Sequence, residues 1–331
     1  MKVLVTGCCG FIGSYVTLNL LKNDYQVIGV DIMNDYYDIN IKEINKNILS
    51  EYENFYFYKE DVIDSDIIER VKPDKVCHLA SMAGVRYSIE NPILYVKNNI
   101  EAFVNLLDQS VKNNVKNFVY ASSSSVYGLN EKVPFCESDD VNSCNSPYAA
   151  SKRSMEIFAN TYNQLYSLPL IGLRFFTVYG PRGRPDMAPY KFLDSILNDK
   201  KFKKYGDGNS LRDYTYIDDI VDGIISALDN KNNLCCEIFN LGNSKPVSLN
   251  SFIECCEEVT GKKAKYDIIE NQLGDVPLTY ADIEKSRELL NYCPKVSLRE
   301  GLDRTCKWMI SEGNKYNTKN VNDTKIILIK N

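Results

Sequence analysis

Residues 2–31 constrain this chain more than any other stretch. An apolar run, Lys2-Val-Leu-Val-Thr6, leads into glycines at Gly7, Gly10 and Gly13; a second apolar run follows at 26–30 and ends at Asp31. A continuous apolar run reads as a parallel strand buried on both faces. The order therefore predicts strand, turn, helix over 11–22, strand and acid. Each part has a task if a dinucleotide lies across it. Gly7 permits a sharp turn, Gly10 lets the backbone approach a pyrophosphate, and Gly13 lets the helix pack close to the sheet. The helix N-terminus offers free N–H groups and a positive dipole end to the phosphates. Asp31 can accept hydrogen bonds from the adenosine ribose and repels a 2′-phosphate, which favours NAD over NADP. The spacing is G-x-x-G-x-x-G, not the commoner G-x-G-x-x-G. Glycines alone are a weak signal; the parts around them, in this order, make it specific.

The chain has 331 residues, enough for one large or two modest domains. Its 44% hydrophobic and 25% charged content is ordinary for a soluble globular enzyme. Net charge is −5 and no basic stripe stands out, so nucleic acid is not an expected partner. No apolar run approaches the roughly 20 residues of a membrane helix. Met1 leads directly into a core strand, which leaves no room for a signal peptide and predicts a cytoplasmic location. The eleven cysteines are scattered without C-x-x-C spacing, so no metal site and no disulfide framework is expected, only packed, reduced thiols. The single histidine, His78, ends an apolar strand and is expected to be packed or hydrogen-bonded. Acid–base chemistry then has to come from another residue type.

Further along, a polar Tyr-rich loop at 34–40 precedes a helix at 41–51, a strand at 54–58, a short helix at 65–71 and a strand at 75–79. A loop at 80–91 follows, then a helix from Pro92 to about 113, with proline in its tolerated first turn. A strand at 117–121 is followed by four serines; a helix at 148–165 and a strand at 170–176 complete the pattern. Strands alternating with helices mean a parallel sheet with right-handed crossovers. Ligands bind beyond the strands' carboxyl ends, so the loops after Ala80, Ala121 and Phe176 should face the cofactor. The expected class is α/β, a Rossmann-type doubly wound parallel sheet over residues 1–176 with a smaller, irregular α/β substrate lobe over 177–312. Residues 215–242 are expected to return to the sheet. Residues 313–331, rich in Asn and Lys, read as a tail.

Tyr148 and Lys152 lie four apart in a predicted helix and share a face. A phenol near its usual pKa of about 10 is a poor base at neutral pH. A nearby ammonium stabilises the phenolate, as does a positively charged nicotinamide ring. Lys152 can also hold the nicotinamide ribose, and Ser123 can bond the hydroxyl that Tyr148 deprotonates.

Three motifs, Gly7-Cys-Cys-Gly10-Phe-Ile-Gly13, Ser122-Ser-Ser-Ser-Val-Tyr-Gly128 and Tyr148-Ala-Ala-Ser-Lys152, together resemble the extended short-chain dehydrogenase/reductases. Longer stretches resemble nucleotide-sugar 4-epimerases of the UDP-glucuronate branch: VDIMNDYYD (30–38), AGVRYSIENP (83–92), LRFFTVYGPRGRPDMAP (173–189) and DVPLTYADI (275–283). The resemblance covers residues 1–309. It implies a resident NAD, no metal, and a base, Tyr148, that deprotonates the sugar 4-hydroxyl while C4 gives up hydride. The 4-keto sugar would rotate and take hydride back on its other face.

The resemblance further implies that NAD is touched by Gly7, Gly10, Phe11, Ile12, Gly13, Asp31, Asn34, Leu79, Ala80, Ala83 and Asn99, with Asp61 and Val62 flanking the adenine. Ser123, Ser124, Ser125 and Thr177 would line the end of the pocket near the sugar C5 substituent. Arg184 stands where the glucuronate branch keeps an arginine. Arg212 would grip the diphosphate, where a guanidinium fork suits two oxygens, and Asp275 would also meet substrate. Arg86 is either a second substrate cation or a structural charge. The implied reaction interconverts UDP-glucuronate and UDP-galacturonate; the alternative is UDP-glucose/UDP-galactose or their N-acetyl forms. A 4,6-dehydratase usually has Asp-Glu near Ser124 and Ser125, and a decarboxylase Glu at Ser125; the serines here disfavour both. A non-catalytic NAD-binding protein is disfavoured by the intact Tyr148 and Lys152. The family usually forms homodimers through the two long helices. Ile100, Phe103, Leu107, Ile157, Phe158 and Tyr162 are then either dimer contacts or internal packing.

Overall fold

The computed structural model describes residues 1–270 and 276–313. Its strands are β1 (Lys2–Thr6), β2 (Gln26–Val30), β3 (Phe55–Tyr58), β4 (Lys75–His78), β5 (Asn117–Ser123), β6 (Leu170–Phe175), β7 (Thr177–Tyr179), β8 (Lys201–Tyr205), β9 (Leu211–Tyr216), β10 (Cys236–Leu241), β11 (Pro246–Ser248) and β12 (Lys265–Ile269). Seven form one sheet in the order β10-β6-β5-β4-β1-β2-β3. Every pairing in it is parallel. The chain runs outward through β1, β2 and β3, then crosses back to β4 and continues the other way. The order therefore reverses between β1 and β4, and a crevice opens beyond their carboxyl ends.

The apolar runs explain the sheet. All of β4, β5 and β6 is buried, as is β1 after Lys2. One face carries the core around Val3, Val5, Val119 and Ile171, which the helices Phe11–Lys22 and Ile217–Asp229 help to build. The other carries Leu4, Val76 and Phe118 against the helices Ala102–Lys112 and Pro147–Tyr166. Gly7 has φ +70° and begins the turn after β1. A Cβ on Gly13 would sit 2.0 Å from the Gly7 carbonyl oxygen, so only glycine lets the first helix come this close.

Several boundaries differ from the sequence expectation. The second helix is Ile39–Leu49 rather than 41–51, because Asp38 caps it by accepting from the Asn40 N–H at 2.9 Å. The expected loop at 80–91 contains a short helix, Val85–Glu90. The helix expected from Pro92 to 113 is not uniform: a π-helical segment, Val96–Glu101, interrupts it. Asn99, in that segment, exchanges hydrogen bonds with the Met82 backbone at 2.7 and 3.0 Å, a demand that accounts for the wider turn. β5 is two residues longer than expected and takes in Ser122 and Ser123. The return of the chain consists of a helix, Ile217–Asp229, followed by β10 beside β6.

The remaining strands build two small sheets, β11-β9-β7 and β12-β8. They are short, and β8 (KFKKY) alternates exposed and buried positions without an apolar run. Asp275 and the expected tail beyond residue 313 lie outside the described residues. Among the described residues, no helix is long and apolar enough to cross a membrane, and no cluster of His, Cys, Asp or Glu is placed to hold a metal.

Candidate active site

The helix Pro147–Tyr166 delivers the reactive pair. Ser146 caps it, accepting from the Ala149 N–H at 3.1 Å, and Pro147 occupies its first turn. Tyr148 therefore sits at the helix entrance, with Lys152 one turn deeper. Lys152 is 1% exposed and donates to the Ala121 carbonyl at 2.8 Å. That bond uses one of the ammonium's N–H donors. Burial pulls the Lys152 pKa down to about 7, with Glu156 opposing the shift. Burial likewise raises the Tyr148 phenol, against a hydrogen bond with Ser123 and the positive charge of Arg184. The protein alone thus keeps Tyr148 a neutral phenol. A positive ring close by is what would lower its pKa and favour the phenolate.

Ser123 reaches Tyr148 because side chains alternate along β5. Ser122 is turned to Glu156 and donates to its Oε1 at 2.7 Å. Glu156 is in turn held by Arg174 through two bonds of 2.9 Å. The serine run is therefore divided between a buried ion pair and the cleft. His78 is 1% exposed, shares a 2.8 Å hydrogen bond between its Nδ1 and Thr6 Oγ1, and stacks on Phe103. Burial, and next the charge of Lys152, lower its pKa to about 3, so the one histidine stays neutral.

Across the crevice, Asp31 accepts from the Cys9 N–H at 3.1 Å and the Met33 N–H at 2.8 Å. A carboxylate has further lone pairs for ribose hydroxyls. One cavity of about 450 Å³ unites both sides. From the glycine-turn side it is lined by Gly7, Gly10, Phe11, Ile12, Gly13, Asp31, Asn34, Asp61, Val62, Leu79, Ala80 and Ala83. From the opposite side Ser123, Ser124, Ser125, Tyr148, Lys152, Thr177 and Arg184 face it. Arg184 is held in a bidentate pair with Asp186 at 3.0 and 2.6 Å, its guanidinium 5.2 Å from the centre of the Tyr36 ring. These residues suit NAD: a glycine turn closed to any Cβ, a helix N-terminus, an acid beyond β2, and a lysine with donors to spare.

Three expected residues do not line this cavity. Asn99 is fully buried and ties Met82 to Ser151 Oγ, the latter at 2.9 Å. It supports the wall without facing the cleft. Arg86 stacks over the Tyr205 ring at 4.6 Å. Arg212, on β9, donates to the Leu211 carbonyl at 2.9 Å. Asp275 lies outside the described residues. Conversely, Lys42, Tyr36 and Tyr37 line the cavity without having been expected there. The Lys42 ammonium lies 3.9 Å from Asp31 and donates to Asn34 Oδ1 at 2.5 Å. One signal was available: a cation near a helix N-terminus opposes the dipole and needs a reason.

Comparison with known proteins identifies the family and the fold. The family model described as GDP-mannose 4,6 dehydratase matches residues 4–305. The chain is 45% identical over 310 residues to a UDP-glucuronate 4-epimerase of Thermodesulfobacterium geofontis (strain OPF15), covering 92% of this chain and 95% of that protein. It is 42% identical over 339 residues to UDP-glucuronate 4-epimerase 1 of Arabidopsis thaliana, covering 96% and 79%. Among solved structures, UDP-glucuronic acid 4-epimerase from Bacillus cereus, in complex with UDP-glucuronic acid and NAD, superposes with a TM-score of 0.89 at 37% identity, covering 94% of this chain and 99% of that one. UDP-glucose 4-epimerase from Thermotoga maritima, with UDP-glucose, gives 0.85 at 33% identity, covering 94% and 99%. The chain belongs to the GDP-mannose 4,6-dehydratase family of extended short-chain dehydrogenase/reductases, on its nucleotide-sugar 4-epimerase branch.

Proposed function

We propose that this chain is an NAD-dependent isomerase that interconverts UDP-glucuronate and UDP-galacturonate by inverting C4 of the sugar. The observation that carries the reading is the shared cavity. Tyr148, with Ser123 beside it on the same wall, faces across one cleft to the glycine turn and Asp31. NAD would lie along the glycine turn, supply the acceptor and donor of hydride, and lend its positive ring to the phenolate. Tyr148 then takes the proton from the 4-hydroxyl and gives it back. Ser123 holds that hydroxyl in place. Lys152 donates to the Ala121 carbonyl, with donors left for the nicotinamide ribose. Gly7, Gly10, Gly13, Asp31 and Asn34 are assigned to the cofactor, with Asp61 and Val62 at its adenine.

The uronate preference rests on the hydroxyls of Ser123, Ser124, Ser125 and Thr177, with Arg184 nearby. They supply donors for a carboxylate and leave no Asp-Glu pair beside Ser123 to drive an elimination. The relatives that act on UDP-glucuronate, by their names, support the same choice. Incubation with UDP-glucuronate and with UDP-glucose, followed by separation of the products, tests it. UDP-galacturonate is the expected product; conversion of UDP-glucose alone would reassign the substrate to the neutral sugar.

We also propose a cytosolic homodimer. All eleven cysteines are unpaired, which suits a reducing compartment. Ile93, Val96, Ile157, Leu165 and Tyr166 are exposed on the two long helices and would form the contact. Phe103 and Leu107 belong to the other of the two alternatives: both are fully buried within the subunit, against the sheet. Light scattering showing a monomer would remove the dimer.

A further inference from the structure

Residues 180–187 leave β7 and lead into the helix Ala188–Leu197. Arg184 and Met187 of this loop line the cavity. Arg182, two residues before Arg184, is engaged elsewhere. It is buried, and its guanidinium lies 4.1 Å from the centre of the Tyr15 ring. The Tyr15 hydroxyl donates back to the Pro181 carbonyl at 3.0 Å. Arg182 Nη1 donates to Asn45 Oδ1 at 3.2 Å. Asn45 is fully buried, and its Nδ2 donates to the Cys9 carbonyl at 2.9 Å. The N–H of the same Cys9 donates to Asp31 Oδ2. Cys9 is thus held by its N–H and by its carbonyl. An unbroken line of bonds, Arg182 to Asn45 to Cys9 to Asp31, joins the substrate loop to the cofactor turn.

The loop adopts costly geometry to make this line. Arg182 has φ +59°, a conformation uncommon for residues other than glycine. It also places a guanidinium out of water, where satisfied hydrogen bonds and a ring face must offset the loss of hydration. On the cleft side of the same loop, Arg184 spans from Asp186 to the Tyr36 ring, beyond β2. The loop therefore touches the cofactor half at Tyr15, Asn45 and Tyr36 while presenting Arg184 and Met187 to the cleft.

We propose that Arg182 and Asn45 are positioning residues that couple nucleotide-sugar occupancy to cofactor retention. Substrate that engages Arg184 and Met187 orders the loop, and the ordered loop holds Asn45 against Cys9 and so steadies Asp31 under the ribose. This deepens the epimerase reading and rests on it: a cofactor lost between the two hydride transfers would strand a 4-keto sugar. Coupling of this kind is reciprocal at equilibrium, so bound sugar nucleotide raises the affinity for NAD by the same factor as bound NAD raises the affinity for the sugar nucleotide.

The test uses the purified holoenzyme. NAD remaining on the protein is measured at intervals after dilution, with and without saturating UDP-glucuronate. In the unaltered chain, the sugar nucleotide is expected to slow release at least about fivefold, the low end of the usual affinity coupling if the gain is carried by the off-rate. Arg182→Met keeps a stem over Tyr15 and removes the donors; Asn45→Leu keeps the volume and cuts the line at its centre. Both are expected to lose the protection, whatever their basal release rate. Protection retained in Arg182→Met overturns the proposal, even if release is faster overall, because Arg182 would then merely brace the turn. The same holds if the unaltered chain shows no protection. If Asn45→Leu does not fold, Arg182→Met decides alone. Product analysis tests the epimerase reading separately. Should it reassign the substrate, the same release measurement with UDP-glucose settles the coupling.

Discussion

The two walls of the cleft are built from different material. The cofactor wall is largely backbone. Gly7 and Gly13 shape it by lacking a side chain, and Asp31 is aimed by the N–H groups of Cys9 and Met33. The substrate wall is side chains: Ser123 from the end of β5, Thr177 from β7, Arg184 from the loop beyond it and Tyr148 from a helix entrance. Backbone shape comes from a contiguous stretch and tolerates few alternatives. A wall of side chains is assembled from distant segments, each of which can change without disturbing the others. On the proposed reading, the first wall would set which cofactor fits and the second the chemistry and the sugar.

The largest expected effect lies on the substrate wall. Tyr148→Phe removes the proton acceptor and should lower kcat by about 10²–10⁴-fold, the range for a positioned acid–base group. NAD content of the purified protein should not change. Substantial turnover by this variant would take the role away from Tyr148.

Asp31→Ala attacks the opposite wall. It removes the acceptor for two N–H groups and the expected ribose contact, a loss of about 1.5–3 kcal/mol for a charged hydrogen-bonding group. Calorimetric titration with NAD and NADP should show weaker NAD binding and a narrower gap between the two. An unchanged gap would mean that Asp31 does not read the ribose.

Arg184→Gln sharpens the comparison within the substrate wall. KM for UDP-glucuronate should rise by about tenfold more than KM for UDP-glucose, as expected where a charge-assisted bond is lost. Equal changes for both sugars would make Arg184 a brace between Asp186 and Tyr36.

His78 offers a pH test on the ground between the walls. Its pKa is lowered to about 3 when folded, from an ordinary value of 6.5. Between those values the unfolded chain binds the proton and the folded chain does not. Its contribution is therefore fully present above about 6.5 and falls as pH drops toward 3, by at most about 1.4 kcal/mol per pH unit. Denaturant midpoints should show a shallower acid slope in His78→Gln than in the unaltered chain. Identical slopes would mean that His78 is protonated in the folded state.

The smallest effect is expected at Cys8 and Cys9. Both are fully buried, yet the cofactor wall uses only the Cys9 backbone. Alanine at both should leave NAD binding intact and lower the melting temperature slightly, through lost packing. Loss of NAD would show that the thiols themselves shape the turn.

Legibility in the sequence follows the same division. The inner strands of the main sheet, β1, β4, β5 and β6 among them, could be read because each is a short apolar run between turn residues, a pattern imposed by burial on both faces. Those of β7, β8, β9, β11 and β12 could not: they carry no continuous apolar run and are stabilised by partners far along the chain. Lys42 belongs to no local motif, and its place beside Asp31 and Asn34 comes from how its helix packs against the loop after β2. Arg212 carries the chemistry expected of a diphosphate ligand, yet its described bond is to its own neighbour's carbonyl.

By itself, the sequence determined the alternation of strand and helix, the glycine turn with its acid, and the helical spacing of Tyr148 and Lys152. These are local: neighbours within a few residues specify them through sterics, periodicity and hydrogen bonding. Only the tertiary structure decided that Ser122 serves Glu156 while Ser123 lines the cleft with Tyr148, that Asn99 supports the wall without facing the cleft, and that Arg182 reaches Cys9 through Asn45. Those partners are separated by tens to more than a hundred residues. Their meeting depends on how whole elements pack, and no local pattern encodes that.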